Sequence, residues 1–441
     1  MASLDRGDWF RLFLGFFAAL IFVLDFIASS FVTPFISELF YPSADYAKSL
    51  VVVFGAFFAG AAIRPIAGVF LGPYGDRVGR KKLTEVSMIG VGIFTIGIGL
   101  LPVYKTVGIS AVFLLILFTV LQGFFVAGIA GAYTIGVESF KEHFRGALTG
   151  VTQSSGALGH FAGSGIFIIT SVIFTGASYL TLGWRFMFII PGILAFIIVA
   201  YTHWLVPEST TYEMASKSKR VAKSPLKEFF AKENNPRNSY FVIISAIGML
   251  SLVSVISLYP TYLVVSVKLS KALIGEVTII GALVGFAATL FGGLLLHFNS
   301  AKKIGIVIAV LMIPISVVAY YVGHLSIAYL PYVILGSSLV YFLHYVVLPI
   351  QNLFMVESFR TNVRSTGFSL SWNLSYLVGG GIPTLVSYGL VVYGDKSFPV
   401  LMMAVILVLA IVSLIGTAGA RNSRGDVQKE INEMASEIGD F

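Results

Sequence analysis

Asp25 and Arg64 are charges set deep inside apolar stretches. Within a membrane, a carboxylate near a guanidinium can exchange protons and hold a substrate carboxylate. Depth follows from helical rise. Asp25 lies fourteen residues past Arg11, about 21 Å up an ascending helix, and Arg64 lies twelve residues before Asp76, about 18 Å up a descending one. The two reach similar heights, so an Asp25–Arg64 ion pair, or at least one shared hydrated cavity, is expected. Protonating Asp25 would loosen its hold on Arg64 and release the guanidinium for substrate. The structural alternative is a pair that only glues two helices or helps them insert. His160, about 21 Å into its own apolar segment from Gly146, titrates where a proton carrier works and is a second proton-coupling candidate; a histidine bonded to neighbouring backbone is the equal alternative. Further along, His344 with Tyr341 and Tyr345 beside it, and the group Trp372, Asn373 and Tyr376, are candidate substrate contacts, set against plain packing for the aromatics.

Each of these residues needs a lipid-spanning helix to hold it. Hydrophobic residues make up 57% of the 441 and charged residues 11%, with a mean hydropathy of +0.91, which excludes an ordinary soluble domain and leaves a polytopic membrane protein. Twelve apolar windows, each near the ~20 residues that cross a hydrocarbon core of about 30 Å, lie near 10–37, 49–71, 83–104, 108–135, 146–174, 184–206, 239–267, 272–297, 303–322, 326–354, 366–393 and 398–420. The first is too long for a signal peptide and lacks a small-residue cleavage site, so it reads as a retained helix. Lysine and arginine sort by side. Arg6 and Arg11, the 77–82 run, Lys141 and Arg145, the 207–238 stretch, Lys302 and Lys303, Arg360 and Arg364 and the tail from Arg421 fall on one side; Lys48, Lys105, Arg185, Lys268, Lys271 and Lys396 fall on the other. Both termini of this cell-membrane protein are therefore expected in the cytoplasm. The net charge of +8 reads as topology and attraction to anionic membrane lipid, with no nucleic-acid partner. The lack of cysteine excludes disulfides and thiol chemistry. No phosphate-binding loop, His-Glu-x-x-His, nucleophile elbow or metal-ligand cluster occurs, so no enzyme activity, cofactor or metal is expected and energy must come from a gradient.

Between windows two and three, Gly72-Pro-Tyr-Gly-Asp76-Arg77-Val-Gly79-Arg80-Lys81-Lys82 concentrates charge and glycine on a short turn, which suits a latch between moving bundles. Asp76 can pair with Arg80 or cap the exposed amides of a neighbouring span. Glu138 with Arg145, and Glu357 with Arg364, flank cytoplasmic turns of their own. Gly72, Asp76, Arg77, Gly79, Arg80, Glu138, Arg145, Glu357 and Arg364 are thus expected to close the cytoplasmic mouth; basic topology alone explains the bases but not the acids. The one long hydrophilic stretch divides the chain into spans at 1–206, a basic linker at 207–238, spans at 239–420 and a tail at 421–441. Val137-Glu138-Ser139-Phe140 recurs as Val356-Glu357-Ser358-Phe359 at the matching place in the second half, as duplication would leave it. The charged run recurs in degenerate form at 293–303, with His297 where Asp76 would stand. Gly146, Gly150, Gly156, Gly159, Gly163 and Gly165 give window five small-xxx-small spacings that let helices approach. In the tail, Val427, Ile431, Met434 and Ile438 fit either a short amphipathic helix or disorder.

Internal repeats with a site between halves are the architecture of alternating-access carriers, and the 72–82 run resembles the signature between spans two and three of the major facilitator superfamily. Asp25-Phe26, Arg64-Pro65 leading to Gly72, Leu121-Gln122-Gly123-Phe124, Gly183-Trp184-Arg185, Pro207-Glu208-Ser209, Tyr259-Pro260-Thr261-Tyr262-Leu263 and Gly379-Gly380-Gly381-Ile382-Pro383 are similar to its metabolite:proton symporter family. The resemblance implies an all-α membrane protein of twelve transmembrane helices in two pseudo-symmetric six-helix bundles. It also implies that Asp25 and Arg64 handle proton and substrate, with Gln122 among the substrate contacts. The chain departs from the family at Thr119 and Ile129, where an arginine and a glutamate are usual, and at Phe22, where an acid is usual. The function expected is secondary active transport, by a monomer without cofactor, of a small metabolite together with protons. An organic anion such as a mono- or dicarboxylate is the first expectation. The alternatives are a proton-independent facilitator, a porter of sugars, aromatic acids or drugs, and a membrane sensor, which would need a longer soluble domain than linker or tail supplies.

Overall fold

The computed structural model describes residues 6–129, 132, 135, 142–208, 225–231, 235–325, 330–359 and 364–421. Glu138, most of the linker and the tail beyond Arg421 lie outside the described residues. Among those described there is no strand, and twelve helices are long and apolar enough to cross a membrane. Spans 1 to 6 are Arg6–Phe40, Tyr46–Val78, Arg80–Leu100, Ser110–Val126 with a 3₁₀ turn Ala127–Ile129, Glu142–Ile173, and Phe186–Leu205 led in by a 3₁₀ turn Gly183–Arg185. Span 7 is broken into Pro236–Leu250 and Val253–Val265; spans 8 to 12 are Lys271–Phe298, Ala301–Leu325, Leu330–Ser358, Arg364–Tyr393 and Phe398–Gly419. The helices outrun the apolar windows because the backbone ladder continues into the polar edge of the membrane.

The two sets of six pack alike. Span 1 lies against spans 5 and 6, span 2 against span 4, and span 3 against spans 4 and 6; each pairing recurs six spans later. Between the sets, span 5 packs along span 8, span 2 along span 11, and span 1 meets the second half of span 7. Those contacts exchange under the same six-span shift, as a pseudo-twofold axis requires.

Small residues permit the tightest crossings. A methyl on Gly150 would come within 3.0 Å of the Gly293 Cα, so spans 5 and 8 touch backbone to backbone. A methyl on Gly123 would strike the Gly60 carbonyl of span 2, and one on Gly163 would come within 2.9 Å of Ile27 in span 1. Gly293 therefore serves inside span 8 as a packing residue, and the turn to span 9 lies at Asn299 and Ser300 instead.

The charged run after span 2 is also not the several-residue turn its composition suggests. Helix continues to Val78, which carries Gly72, Asp76 and Arg77 in its last turns, and the chain reverses at Gly79 alone, whose φ of 102° suits glycine. The side chains of Asp76 and Arg77 lie outside the described residues.

Gly79 gives span 3 no side-chain cap. The end of span 6 supplies one. Glu208 Oε1 accepts from the Arg80 and Lys81 amides at 3.1 Å each, which places a carboxylate on the positive end of the helix dipole. At the opposite end of span 3, Arg185 Nη1 donates to the Gly99 and Leu101 carbonyls at 2.8 Å each. Span 3 is thus held at both tips by groups flanking span 6, with Glu208 as the capping acid. Glu208→Ala should cost about 1 kcal/mol of stability, with Glu208→Gln costing less. Unfolding in mixed micelles measures it, and a midpoint equal to the parent's in both variants would refute the cap.

Candidate functional site

Span 1 delivers Asp25 and span 2 delivers Arg64 to the wall of one cavity, which offers about 50 Å³ to the centres of water molecules. That is room for a few waters or one small chemical group. Phe54, Phe57, Phe58 and Phe188 make much of the apolar lining, while Ser257 and Tyr376 arrive from the other bundle on spans 7 and 11. The cavity therefore straddles the interface between bundles.

Among the described residues, no ion pair joins Asp25 to Arg64. Each charge is instead matched separately. Asp25 Oδ1 accepts from Thr95 Oγ1 of span 3 at 3.0 Å and from Gln122 Nε2 of span 4 at 2.6 Å. The Arg64 guanidinium lies over the rings of Phe22 and Tyr376, with its central carbon 5.3 and 5.6 Å from their centroids. Aromatic faces stabilise a cation without accepting its protons in the manner of a carboxylate. Arg64 Nε is buried without a hydrogen-bond partner. Counting depth along the helices found the shared cavity. It could not foresee that two neutral donors would take the carboxylate. Phe22, in the slot where an acid was expected by resemblance, presents its ring to Arg64.

Gln122 lines the cavity, yet its amide nitrogen is spent on Asp25 and on Thr95 Oγ1 at 2.9 Å. Asn373 donates to the Ser369 carbonyl of its own span 11 at 2.9 Å, beside Gly68 of span 2. Trp372 stacks on Phe368 at 5.8 Å and sits 5.2 Å from Tyr376. Of that trio Tyr376 alone is among the cavity's lining residues. His344 is buried against the Tyr345 ring at 4.9 Å, and its Nδ1 has no partner among the described residues.

His160 is bound across the bundle interface rather than to its own backbone. Its Nδ1 lies 2.9 Å from Tyr345 Oη and its Nε2 2.9 Å from Tyr341 Oη, both on span 10. Tyr345 Oη donates its proton to the Gly156 carbonyl at 3.1 Å, so it accepts from His160 Nδ1–H. A neutral ring then accepts from Tyr341 at Nε2, and every polar atom of the set is satisfied. At the far end of span 8, Lys271 Nζ stands 4.0 Å over the Tyr179 ring and 4.8 Å over Phe35, another contact between bundles.

The expected latch lies mostly out of view. Glu138 and the side chains of Asp76, Arg77, Arg145 and Arg364 are outside the described residues; Glu357 is half-buried at the end of span 10. Near the ends of spans 3 and 6, Glu85 receives Lys82 Nζ at 3.3 Å and His203 Nδ1 at 3.2 Å. Thr95, Phe22, Ser257 and Glu208 take part in the site or its support without having been singled out for it; a threonine or phenylalanine in an apolar helix carries no signal of its own.

Two matched sets of six spans around one mixed-charge cavity define a membrane carrier. The profile of the Major Facilitator Superfamily matches residues 14–384, and the chain belongs to that superfamily of transporters. The inner membrane metabolite transport protein YhjE of Escherichia coli (strain K12) is 27% identical over 87% of this chain and 88% of its own length. A proline/betaine transporter of Salmonella typhimurium is 25% identical over 94% and 85%, and the shikimate transporter of Escherichia coli (strain K12) 24% identical over 92% and 91%. Among solved structures, the proton:xylose symporter XylE bound to 6-bromo-6-deoxy-D-glucose superposes with a TM-score of 0.73 at 15% identity, covering 96% of this chain and 99% of that one, a likeness of fold.

The tyrosine clamp makes a quantitative prediction. Tyr345→Phe strands the His160 Nδ1–H, and Tyr341→Phe strands Nε2; the Gly156 carbonyl keeps its bond within the span 5 helix. Each should cost about 1–3 kcal/mol, and the double variant should differ from the sum because the groups share one network. Denaturant unfolding in micelles, with His160→Phe as the third member of the cycle, decides; strict additivity would dissolve the network.

Proposed function

We propose that this protein is a proton-coupled symporter of a small carboxylate-bearing metabolite, with both termini in the cytoplasm of a cell whose plasma membrane it spans. The observation that carries the reading is a cavity holding one acid and one guanidinium, where the guanidinium donates no hydrogen bond within the described protein and the acid is reached by neutral donors. A planar carboxylate fits the unused fork of Arg64 bidentately, and Asp25 supplies a protonatable group beside it. Proline, betaine and shikimate, named for two of the relatives, each carry one carboxylate. The bundles 1–206 and 239–420, joined by the linker 207–238, are the units that rock about the cavity in this proposal, with the tail 421–441 on the cytoplasmic side. His160, with both nitrogens engaged, acts as a tie between bundles and not as a second proton site.

The aromatic walls favour one particular version of the substrate. A carboxylate on Arg64 leaves the opposite end of a small zwitterion facing phenyl rings and Asp25, which suits an ammonium or methylated ammonium. A dicarboxylate would leave its second charge uncompensated, since no other cation is among the cavity's lining residues.

Two measurements test this. Asp25→Asn should abolish accumulation driven by an imposed pH gradient in liposomes while counterflow exchange persists, because the amide imitates the protonated carrier; variant liposomes that still concentrate substrate would remove Asp25 from coupling. Arg64→Lys should weaken binding of the best ligand by about tenfold or more, since an ammonium keeps the charge but loses the fork. A thermal-shift panel of monocarboxylates, dicarboxylates and carboxylate zwitterions identifies that ligand, and equal affinity in parent and variant would refute carboxylate recognition by Arg64.

A further inference from the structure

The carboxylate of Asp25 is not held by its charged neighbour. Thr95 on span 3 and Gln122 on span 4 hold it, and they also hold each other: both donate to Oδ1, and Gln122 Nε2 reaches Thr95 Oγ1 as well. The donor assignment is forced around the ring. A carboxylate only accepts, so the Thr95 hydroxyl spends its proton on Oδ1 and must accept from the amide, whose two hydrogens go to Asp25 and Thr95. The three residues come from three helices of one bundle, and the triangle is rigidly built. Thr95 is fully buried. Gln122 is placed by the residue that follows it, Gly123, whose backbone rests on Gly60 of span 2.

Oδ1 is thereby saturated, and Oδ2 has no partner among the described residues. We propose that Thr95 and Gln122 are positioning residues that set the proton affinity of Asp25, fixing Oδ1 so that the proton arrives at and leaves from Oδ2 on the cavity side. This rests on the reading of Asp25 as the coupling acid. Donors aimed at a carboxylate favour its charged form. The other groups facing Asp25 are few. Span 2 contributes the Arg64 cation and span 11 the Tyr376 phenol, while spans 6 and 7 contribute Phe188 and Ser257, which do not titrate. Arg64 contacts the Tyr376 ring, and the bonds of the triangle run among Asp25, Thr95 and Gln122.

The test follows the Asp25 carboxylic acid C=O band by infrared difference spectroscopy of the full chain in liposomes across pH, the band being assigned by its absence in Asp25→Asn. Thr95→Val keeps the side-chain shape and removes the donor; its midpoint should rise by about one pH unit, as should that of Gln122→Leu. Thr95→Ser should return it to the parent value. The pH profile of gradient-driven uptake should move the same way in the Val variant. A midpoint unchanged in Thr95→Val overturns the proposal. Should Asp25→Asn liposomes still concentrate substrate, the coupling reading falls while a shifted band leaves the positioning role standing. Should accumulation be lost and the band stay unshifted, the reverse holds.

Discussion

Moving a carboxylate or a guanidinium into a helix bundle surrounded by lipid costs several kcal/mol for each group unless neighbours compensate. Two opposite charges at the same depth could settle the cost by binding each other. Here they do not. Asp25 is compensated by a hydroxyl and an amide, Arg64 by two aromatic faces, and the cavity lies between. A direct ion pair would have used the guanidinium's donors internally, leaving a ligand to compete with an intramolecular partner. Compensation by rings leaves those donors with no such rival. The packing of spans 1 to 4, including the backbone contact between Gly60 and Gly123, and of span 2 against span 11 is what brings the compensating groups within reach.

The interface between bundles is made of contrasting contacts. Along spans 5 and 8 it is close packing, with Gly150 meeting Gly293 at the backbone and Ile168 of span 5 seated on Gly275 of span 8. At His160 it is specific, since a single imidazole joins both bundles through two directional bonds. Close packing of this kind has no directional bond to break, whereas the hydrogen-bonded contact has a defined broken and unbroken form. For a transporter of this superfamily, the second kind is where discrete states can be told apart.

Much of this was legible in the sequence. The spans follow from hydropathy because an apolar run in lipid has few options but helix, and the shared depth of Asp25 and Arg64 follows from rise per residue. For His160 the sequence offered a proton site or a bond to neighbouring backbone, whereas its partners are side chains on span 10, and no local pattern reveals a contact 185 residues away. The charged run after span 2 misled because composition marks where a helix meets the aqueous edge, not where it ends; Gly79 ends it through backbone geometry. Thr95 was invisible for a different reason. A buried threonine commonly bonds its own helix, as Thr289 does at Gly285, so the outward bond of Thr95 to Asp25 depends wholly on what stands opposite.

Span 3 is held by groups that the ribosome makes much later. Its amino-terminal amides are capped by Glu208, 128 residues after Arg80, and its last carbonyls are bound by Arg185, 86 residues after Gly99. At ordinary synthesis rates that gap amounts to about ten seconds. Throughout that interval water is the available partner for those amides and carbonyls, and the arrival of span 6 replaces it with protein groups. Chains truncated before span 6 therefore leave span 3 without either tip partner.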